Sequence, residues 1–390
     1  MTHLLYTRPK NDQFPTLDRM NELLAPLQSL RQSNWFKLIC GASFQHLPSV
    51  RNLTLAYTLA GADCIDVAAD PAVIDAAKQA FSVAKTLVKE TQAKGFNWQG
   101  NLPLLMVSLN DGEDPHFRKA KFNPRDCPDN CSKPCEKICP AQAIVFNSQT
   151  DKDSSSGIIA EKCYGCGRCV PICPYGIIDT VSHLSPLGAI LPLIMSTGID
   201  AIEIHTKVGR LPEFENLWSK IAPWANKLKL LAISCNDGEG LIDYLKSVYN
   251  LIVPLPQVLI WQTDGRSMSG DIGDGTTIRA IKLGQKVLAA NLPGHVQLAG
   301  GTNNYTVPKL KTMGMLGDGK LENSPGQLAG VAYGSYARVL LSPVIDQLES
   351  WEVNTSLKKS QRLEDEPDLL WQAVKLANSL VSQIKSQSDI

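Results

Sequence analysis

Eight short apolar runs, each leading to a helix-length segment, predict an α/β fold: a (β/α)8 barrel of TIM type. The runs are continuous rather than alternating, as expected for strands of a parallel sheet covered on both faces. One interruption of about 70 residues after the third run breaks the rhythm and holds eight of the eleven cysteines. It predicts a small inserted α+β domain. A doubly wound open sheet is the alternative, but it usually has fewer strands and lacks this even pacing.

In chain order, residues 1–34 read as an N-terminal extension with a helix over Leu17–Arg31. Trp35–Ser43 is the first run, ended by Gly41, and Leu47–Leu59 is its helix. Cys64–Asp70 comes second, followed by Pro71–Lys94, with proline at the first helical position, where its missing N–H costs nothing. Leu104–Asn110 is third. The next helix arrives only at Leu184–Thr197, whereas βα loops have about two to six residues. Residues 112–183 are therefore read as the insertion, between barrel segments 35–111 and 184–352.

The alternation then resumes. Ala201–Lys207 precedes helix Pro212–Lys229, Leu230–Asn236 precedes Glu239–Tyr249, and Gln257–Gly265 precedes Thr276–Leu288. Val296–Asn303 precedes Val307–Met315, and Gly330–Arg338 precedes Pro343–Trp351. Residues 353–390 form a C-terminal extension with a helix over Pro367–Ile384.

The chemistry is concentrated in two cysteine quartets. Cys163, Cys166, Cys169 and Cys173, followed by Pro174, read C-x2-C-x2-C-x3-C-P. That is the ligand run of bacterial two-cluster ferredoxins, in which the fourth cysteine serves the other cluster. Thiolates are soft ligands suited to iron–sulfur clusters. Cys127, Cys131, Cys135 and Cys139, followed by Pro140, have both early spacers one residue longer. Two clusters are expected, one 4Fe-4S and the other 4Fe-4S or 3Fe-4S.

Pro128 and Pro134 argue against a helix through the first quartet. Neither quartet contains C-x3-C-x2-C, which argues against a radical enzyme using S-adenosylmethionine. Structural zinc usually takes two separated C-x2-C pairs, and a disulfide framework belongs to secreted chains. Between the quartets, Ala143–Asn147 and Gly157–Lys162 read as a hairpin. Each proline directs the chain away from its own tripod. Cys127, Cys131 and Cys135 are thus expected to share a cluster with Cys173, and Cys163, Cys166 and Cys169 with Cys139. Tyr164 and Tyr175 are read as shielding the clusters from water.

The formal net charge is zero, which gives no electrostatic case for nucleic acid or an acidic membrane. No apolar run approaches the roughly 20 residues of a membrane span. The first residues lack a signal-peptide layout, and the cysteine clusters fit a reducing compartment, so a cytoplasmic location is expected.

Sites beyond the clusters are expected at the C-terminal ends of the strands. Gly300, Gly301, Thr302 and Asn303 after the seventh, with Gly334 and Ser335 after the eighth, suit close approach of backbone N–H groups to an anion. They resemble the phosphate grip of flavin-mononucleotide barrels, so FMN or another phosphorylated ligand is one reading and an empty tight turn the other. His205, Lys207 and Arg210 end the fourth run; Arg210 reads as part of a solvated loop. Cys40, Cys64 and Cys235 read as core. Arg118, Lys119, Lys121 and Arg125 read as a solvated face.

The pairing of CxxxCxxxCxxxCP and CYGCGRCVPICP with LAGGTNNYTVPKLK and GVAYGSYARVL resembles the cyanobacterial light-dependent-period iron–sulfur family. The resemblance covers most of the chain. It implies a redox-responsive input to the circadian clock, associated with clock proteins and reporting photosynthetic electron flow. A redox partner, ferredoxin or the quinone pool, is then expected. The other function class is an oxidoreductase that passes electrons through the clusters to a flavin or quinone at the barrel mouth. No Ser/His/Asp or Cys/His set stands out, which favours the sensor and leaves an enzymatic role open.

Overall fold

The computed structural model describes residues 25–41, 47–112, 118–139, 143–146, 157–159, 169–182, 187–265, 276–317, 326–354 and 362–385. The chain opens with α1 (Ala25–Arg31) and then alternates β1 (Trp35–Gly41), α2 (Leu47–Leu59), β2 (Cys64–Ala68), α3 (Pro71–Thr86), α4 (Val88–Ala93) and β3 (Leu104–Asn110). The insertion contributes β4 (Arg118–Lys121), α5 (Pro134–Ile138), β5 (Ile144–Val145), β6 (Gly157–Ile158), α6 (Cys169–Ile172) and β7 (Asp179–Ser182). The second half runs α7 (Leu187–Ser196), β8 (Ala201–Thr206), α8 (Leu211–Ile221), β9 (Leu230–Asn236), α9 (Leu241–Leu251), β10 (Leu259–Asp264) and α10 (Thr276–Ala289). It ends with β11 (His295–Ala299), α11 (Thr306–Thr312), β12 (Gly330–Tyr333), α12 (Ser335–Asn354) and α13 (Pro367–Lys385).

Eight strands close a barrel in the order β1-β12-β11-β10-β9-β8-β3-β2, every pair parallel. The TIM-type fold is thus as the sequence predicts. β3 and β8 are neighbours across the insertion, with Asn110 beside His205. The chain leaves the barrel at the C-terminal end of β3 and returns in phase.

Outward-facing strand residues such as Phe36, Val67, Ile202 and Ile233 meet the helix ring in one large core. Inside the barrel the lowest layer is apolar: Trp35, Cys64, Met106, Ala201, Ala232 and Ile260. Leu27 and Leu30 of α1 pack against it and plug the N-terminal end. Cys40, Cys64 and Cys235 are all buried, as expected of small core residues.

Several elements depart from expectation. The helix predicted over 71–94 breaks at Leu87 into α3 and α4. Pro212–Lys229 is α8 followed by a 3-10 turn, Ala222–Lys227. The run expected to be strand as far as Arg338 ends at Tyr333, and Ser335 already begins α12, because the Gly334-Ser335 corner suits a helix start. A short helix does form within the first quartet: Pro134 sits at its first position, where proline lacks nothing.

Candidate iron–sulfur centre and barrel mouth

The insertion has the order β4-α5-β5-β6-α6-β7. β4 pairs antiparallel with β7, Arg118 opposite Ser182, and β5 with β6, Ile144 opposite Ile158. α5 and α6 pack on each other between these pairs. The buried core of the insertion is small: Ala120, Cys135, Ala143, Ile144, Cys169 and Ile178. Two of these six, Cys135 and Cys169, are cysteines of the two motifs, so the candidate ligands are also part of the packing.

Cys127, Cys131, Cys139 and Cys173 are half-buried, and all six described motif cysteines are free thiols. Cys163, Cys166, Pro140 and Tyr164 lie outside the described residues. Tyr175 is 47% exposed, so it does not shield a cluster in the way expected.

The donor chemistry fits iron–sulfur ligation. The Lys133 amide donates to Cys131 Sγ at 3.4 Å and the Ala143 amide to Cys139 Sγ at 3.2 Å. Burial, then the neighbouring Cys131 and Cys135, push the Cys127 thiol up. Cys135 is pushed up by burial and, against the pull of the Glu136 amide, by Cys173 and Cys131. The Cys173 thiol is held down despite its burial, by the amides of Ile177, Tyr175, Gly176 and Ile178. Amide N–H groups aimed at sulfur are a feature by which proteins tune such clusters. Cys173 is thus a neighbour of Cys135, in the other motif. Among the described residues the sulfurs do not by themselves close round one ion.

The root of the insertion is gripped by the barrel. Arg210, just ahead of α8, places Nε 3.2 Å from Asp111 Oδ1 and donates from Nη2 to the Asp111 carbonyl at 3.2 Å. Thr206 Oγ1 donates to Asp111 Oδ2 at 2.5 Å and also bonds the Tyr244 hydroxyl. The Asp111 amide donates to His205 O at 3.1 Å. A Cβ on Gly112 would lie 1.8 Å from Arg210 Nη2, so glycine is what lets the guanidinium lie on the chain. Arg210 is therefore a clamp and not the solvated loop residue expected.

Above the apolar floor of the barrel lies a charged layer that the sequence reading did not single out. Alternation puts residues two positions further along each strand on the same inner face. These are Lys37, Asp66, Ser108, Glu203, Ser234, Gln262 and Gln297, every one nearly or fully buried. Lys37 Nζ bonds Glu203 directly, lies 3.0 Å from Asp66 Oδ2 and donates to Gln262 Oε1 at 3.0 Å. Gln262 Nε2 donates to Glu203 Oε1 at 2.5 Å and to Ser234 Oγ at 3.1 Å. Trp35 Nε1 donates to Gln297 Oε1 at 2.6 Å, and Ser108 Oγ to Asp66 Oδ1 at 2.8 Å.

Burial pulls the Lys37 pKa down, but Asp66 and Glu203 outweigh it and hold the ammonium charged, its pKa above the usual lysine range. Burial likewise opposes ionisation of Glu203, and Lys37 and His205 overcome it, so its pKa is lowered. Asp66 goes the other way: burial and the Glu203 charge raise it despite Lys37. His205, one layer higher, is 27% exposed, with Nε2 3.0 Å from Glu203 Oε1. That contact is not a hydrogen bond. Lys207 is exposed. The signal in the sequence was one charge inside each of three apolar runs, WFKLICG, CIDVA and AIEIHT.

At the loops after β11 and β12, Gly300 and Gly301 take φ of +56° and +88°. A Cβ on Gly301 would meet Thr276 Cβ at 2.9 Å and Thr276 O at 3.1 Å. Thr276 Oγ1 donates to Gly301 O at 2.7 Å and Thr302 Oγ1 to Ala332 O at 2.6 Å. Asn303 Oδ1 accepts from Thr277 Oγ1 and the Tyr305 amide, both at 3.0 Å, while its buried Nδ2 has no acceptor among the described residues. Ser335 Oγ accepts from Arg338 Nη2 at 3.1 Å, and Arg338 Nη1 donates to Ile39 O at 3.2 Å and Cys40 O at 3.3 Å. Arg338 is a cation beside Gly334 and Ser335 that a strand assignment had hidden.

A parallel (β/α)8 barrel with a cysteine-rich βαββαβ insertion defines the class: an iron–sulfur protein built on a TIM-type barrel. Residues 127–184 match the LdpA Fe-S cluster-binding domain, and residues 193–383 match the Light dependent period A C-terminal domain. The chain is 44% identical over 360 residues to Light dependent period A of Synechococcus elongatus, covering 92% of this chain and 94% of that one. The chain belongs to the Light dependent period A family.

A shorter likeness, 40% over 68 residues, links 17% of this chain to 20% of a selenate reductase subunit of Mesobacillus selenatarsenatis. Among solved structures, tryptophan synthase alpha chain from Legionella pneumophila is similar at a TM-score of 0.40 and 9% identity, over 94% of this chain and all of that one.

Proposed function

We propose that this protein is a redox-sensing input to the circadian clock, reporting photosynthetic electron flow through two iron–sulfur clusters. The reading rests on membership of a family named for light-dependent period, together with the shape of the cysteine module. A core of six buried residues, two of them ligands, has little stability of its own, so cluster loss or change is expected to alter its conformation. The Arg210–Asp111 clamp ties that module to α8 of the barrel.

In this reading Cys127, Cys131 and Cys135 hold one cluster with Cys173, and Cys163, Cys166 and Cys169 hold the other with Cys139. At least one is 4Fe-4S. Bound clusters supply one-electron redox chemistry; the chain supplies thiolates, amide donors and the junction. The partners are ferredoxin or the quinone pool on the input side and clock proteins on the output side, in the cytoplasm. Among the described residues no helix is long and apolar enough to cross a membrane.

The test is amide exchange on anaerobically prepared protein, oxidised and reduced, alongside iron and sulfide analysis. Changed protection at Asp111–Gly112 and the first turn of α8 is expected; full cluster content with identical protection in both states would overturn the sensor.

The charged barrel layer favours a second reading, an oxidoreductase passing electrons to a flavin or quinone at the mouth. In it FMN or another phosphorylated ligand sits on Gly300, Gly301, Thr302, Asn303, Gly334 and Ser335, with Arg338 as counter-ion. Turnover with reduced ferredoxin and a quinone separates the two.

A further inference from the structure

The N-terminal end of the barrel, opposite the insertion, carries a cleft of about 490 Å³. Phe81 of α3, Leu102, Pro103 and the start of β3 give it an apolar floor, Pro26 of α1 lines it as well, and Ser82 and Asn101 add polar groups to the lining. Lys78 and Lys85 of α3 and Lys229 ahead of β9 also line it, against one carboxylate, Asp200. Asp200 is already used: Oδ1 accepts from Lys229 Nζ at 2.6 Å and Oδ2 from the Leu105 amide at 3.0 Å. Lys78 Nζ bonds the Thr197 carbonyl at the end of α7. Lys85 has no hydrogen-bond or ion-pair partner among the described residues. The lining thus holds three ammonium groups and one carboxylate over an apolar floor, on a chain whose net charge is zero.

We propose that this cleft binds a small amphipathic anion, a carboxylate or phosphate head on a short apolar body. Its volume lies within the range of about 300–1,000 Å³ typical of ligand sites. A concave surface whose charges sum to a net positive, three lysines against one aspartate, concentrates the field on an incoming anion. Lys85 receives the head group, and Lys78 and Lys229 stay on their present partners and add long-range attraction. The apolar body lies along the part of Leu102 left exposed and the edge of the largely buried Phe81, where it displaces water. Loops at the opposite end of the barrel and the cysteine module take no part, so this site is independent of redox state.

The experiment is calorimetric titration of the full-length, cluster-loaded protein with octanoate, octyl phosphate and octanol. The two anions should bind saturably and more weakly as salt rises, and octanol at least about tenfold more weakly. Which anion binds more tightly identifies the head group. Lys85→Glu should weaken the anions by about tenfold or more, and Ser82→Trp should block all three by filling the cleft. Lys286→Glu, at the other end of the barrel on Asp237, should change nothing. Both Lys85 and Ser82 are exposed, so neither substitution threatens folding. Equal binding of octanol and octanoate, unchanged binding in Lys85→Glu, or no saturable binding of either anion would each overturn the proposal.

Discussion

Lys37 of β1 and Glu203 of β8 meet inside the barrel, both with 0% side-chain exposure, with Asp66 completing the contact at 3.0 Å from the same ammonium. One cation therefore compensates two carboxylates where a barrel of this type usually packs branched apolar side chains. Removing the shared cation leaves two buried carboxylates without their ammonium partner. Lys37→Met is predicted to cost about 3–5 kcal/mol of stability, the range for breaking a buried ion pair from one side. Adding Glu203→Gln and Asp66→Asn should recover most of it. Urea denaturation of the single and triple variants checks both parts; an additive loss in the triple variant would contradict the account.

Crossed ligation makes a specific demand. Cys173→Ser should damage the cluster of the first motif, because Cys173 neighbours Cys135, and Cys139→Ser should damage the other. The longer spacers should make the first-motif cluster the more labile one. Paramagnetic resonance of the two variants decides the matter: if each serine damages the cluster of its own motif, the crossing is wrong.

The barrel should stand without the cysteine module. Replacing residues 112–182 with a short Gly/Ser linker should leave a protein that unfolds cooperatively in urea, since β3 and β8 pair through Met106–Asn110 and Ala201–His205 regardless of what lies between. A soluble product with no cooperative transition would count against this.

Acid sensitivity should have a component from His295, at the start of β11. Burial, and then the Arg31 charge, depress its pKa from 6.5 to about 4. A group whose folded pKa is lowered binds fewer protons folded than unfolded between those two values, so stability falls as pH drops through that window. The wild-type melting temperature should decline between pH 6.5 and 4. In His295→Asn the decline should be shallower; an identical slope would remove His295 from the account.

The barrel was legible because its information is local. Continuous apolar runs such as Leu104–Asn110 and Leu230–Asn236 coincide with β3 and β9, and strand pacing did the rest. The iron–sulfur domain was legible because cysteine spacing is written in the chain. The charged layer was not, since Lys37, Asp66 and Glu203 are far apart in sequence and each looks like an exception within its own run. Only closure of the sheet puts them on one level. Arg210 was misjudged and Arg338 not singled out for a related reason: besides Asp111 Oδ1 and Ser335 Oγ, they hold backbone carbonyls of Asp111, Ile39 and Cys40, which no side-chain pattern announces. Pro134 misled because its effect depends on position, forbidding a helix that passes through it and favouring one that begins there.

The pairing of β4 with β7 has a topological consequence. Arg118 near the entrance of the insertion lies opposite Ser182 near its exit, so the two ends are held about one strand spacing apart, roughly 4.8 Å. Whatever the length of chain beyond that pair, the ladder that joins its two ends is no wider than an ordinary hairpin. A metallocentre of this size is thereby grafted onto a closed eight-stranded ring without altering the arc between β3 and β8.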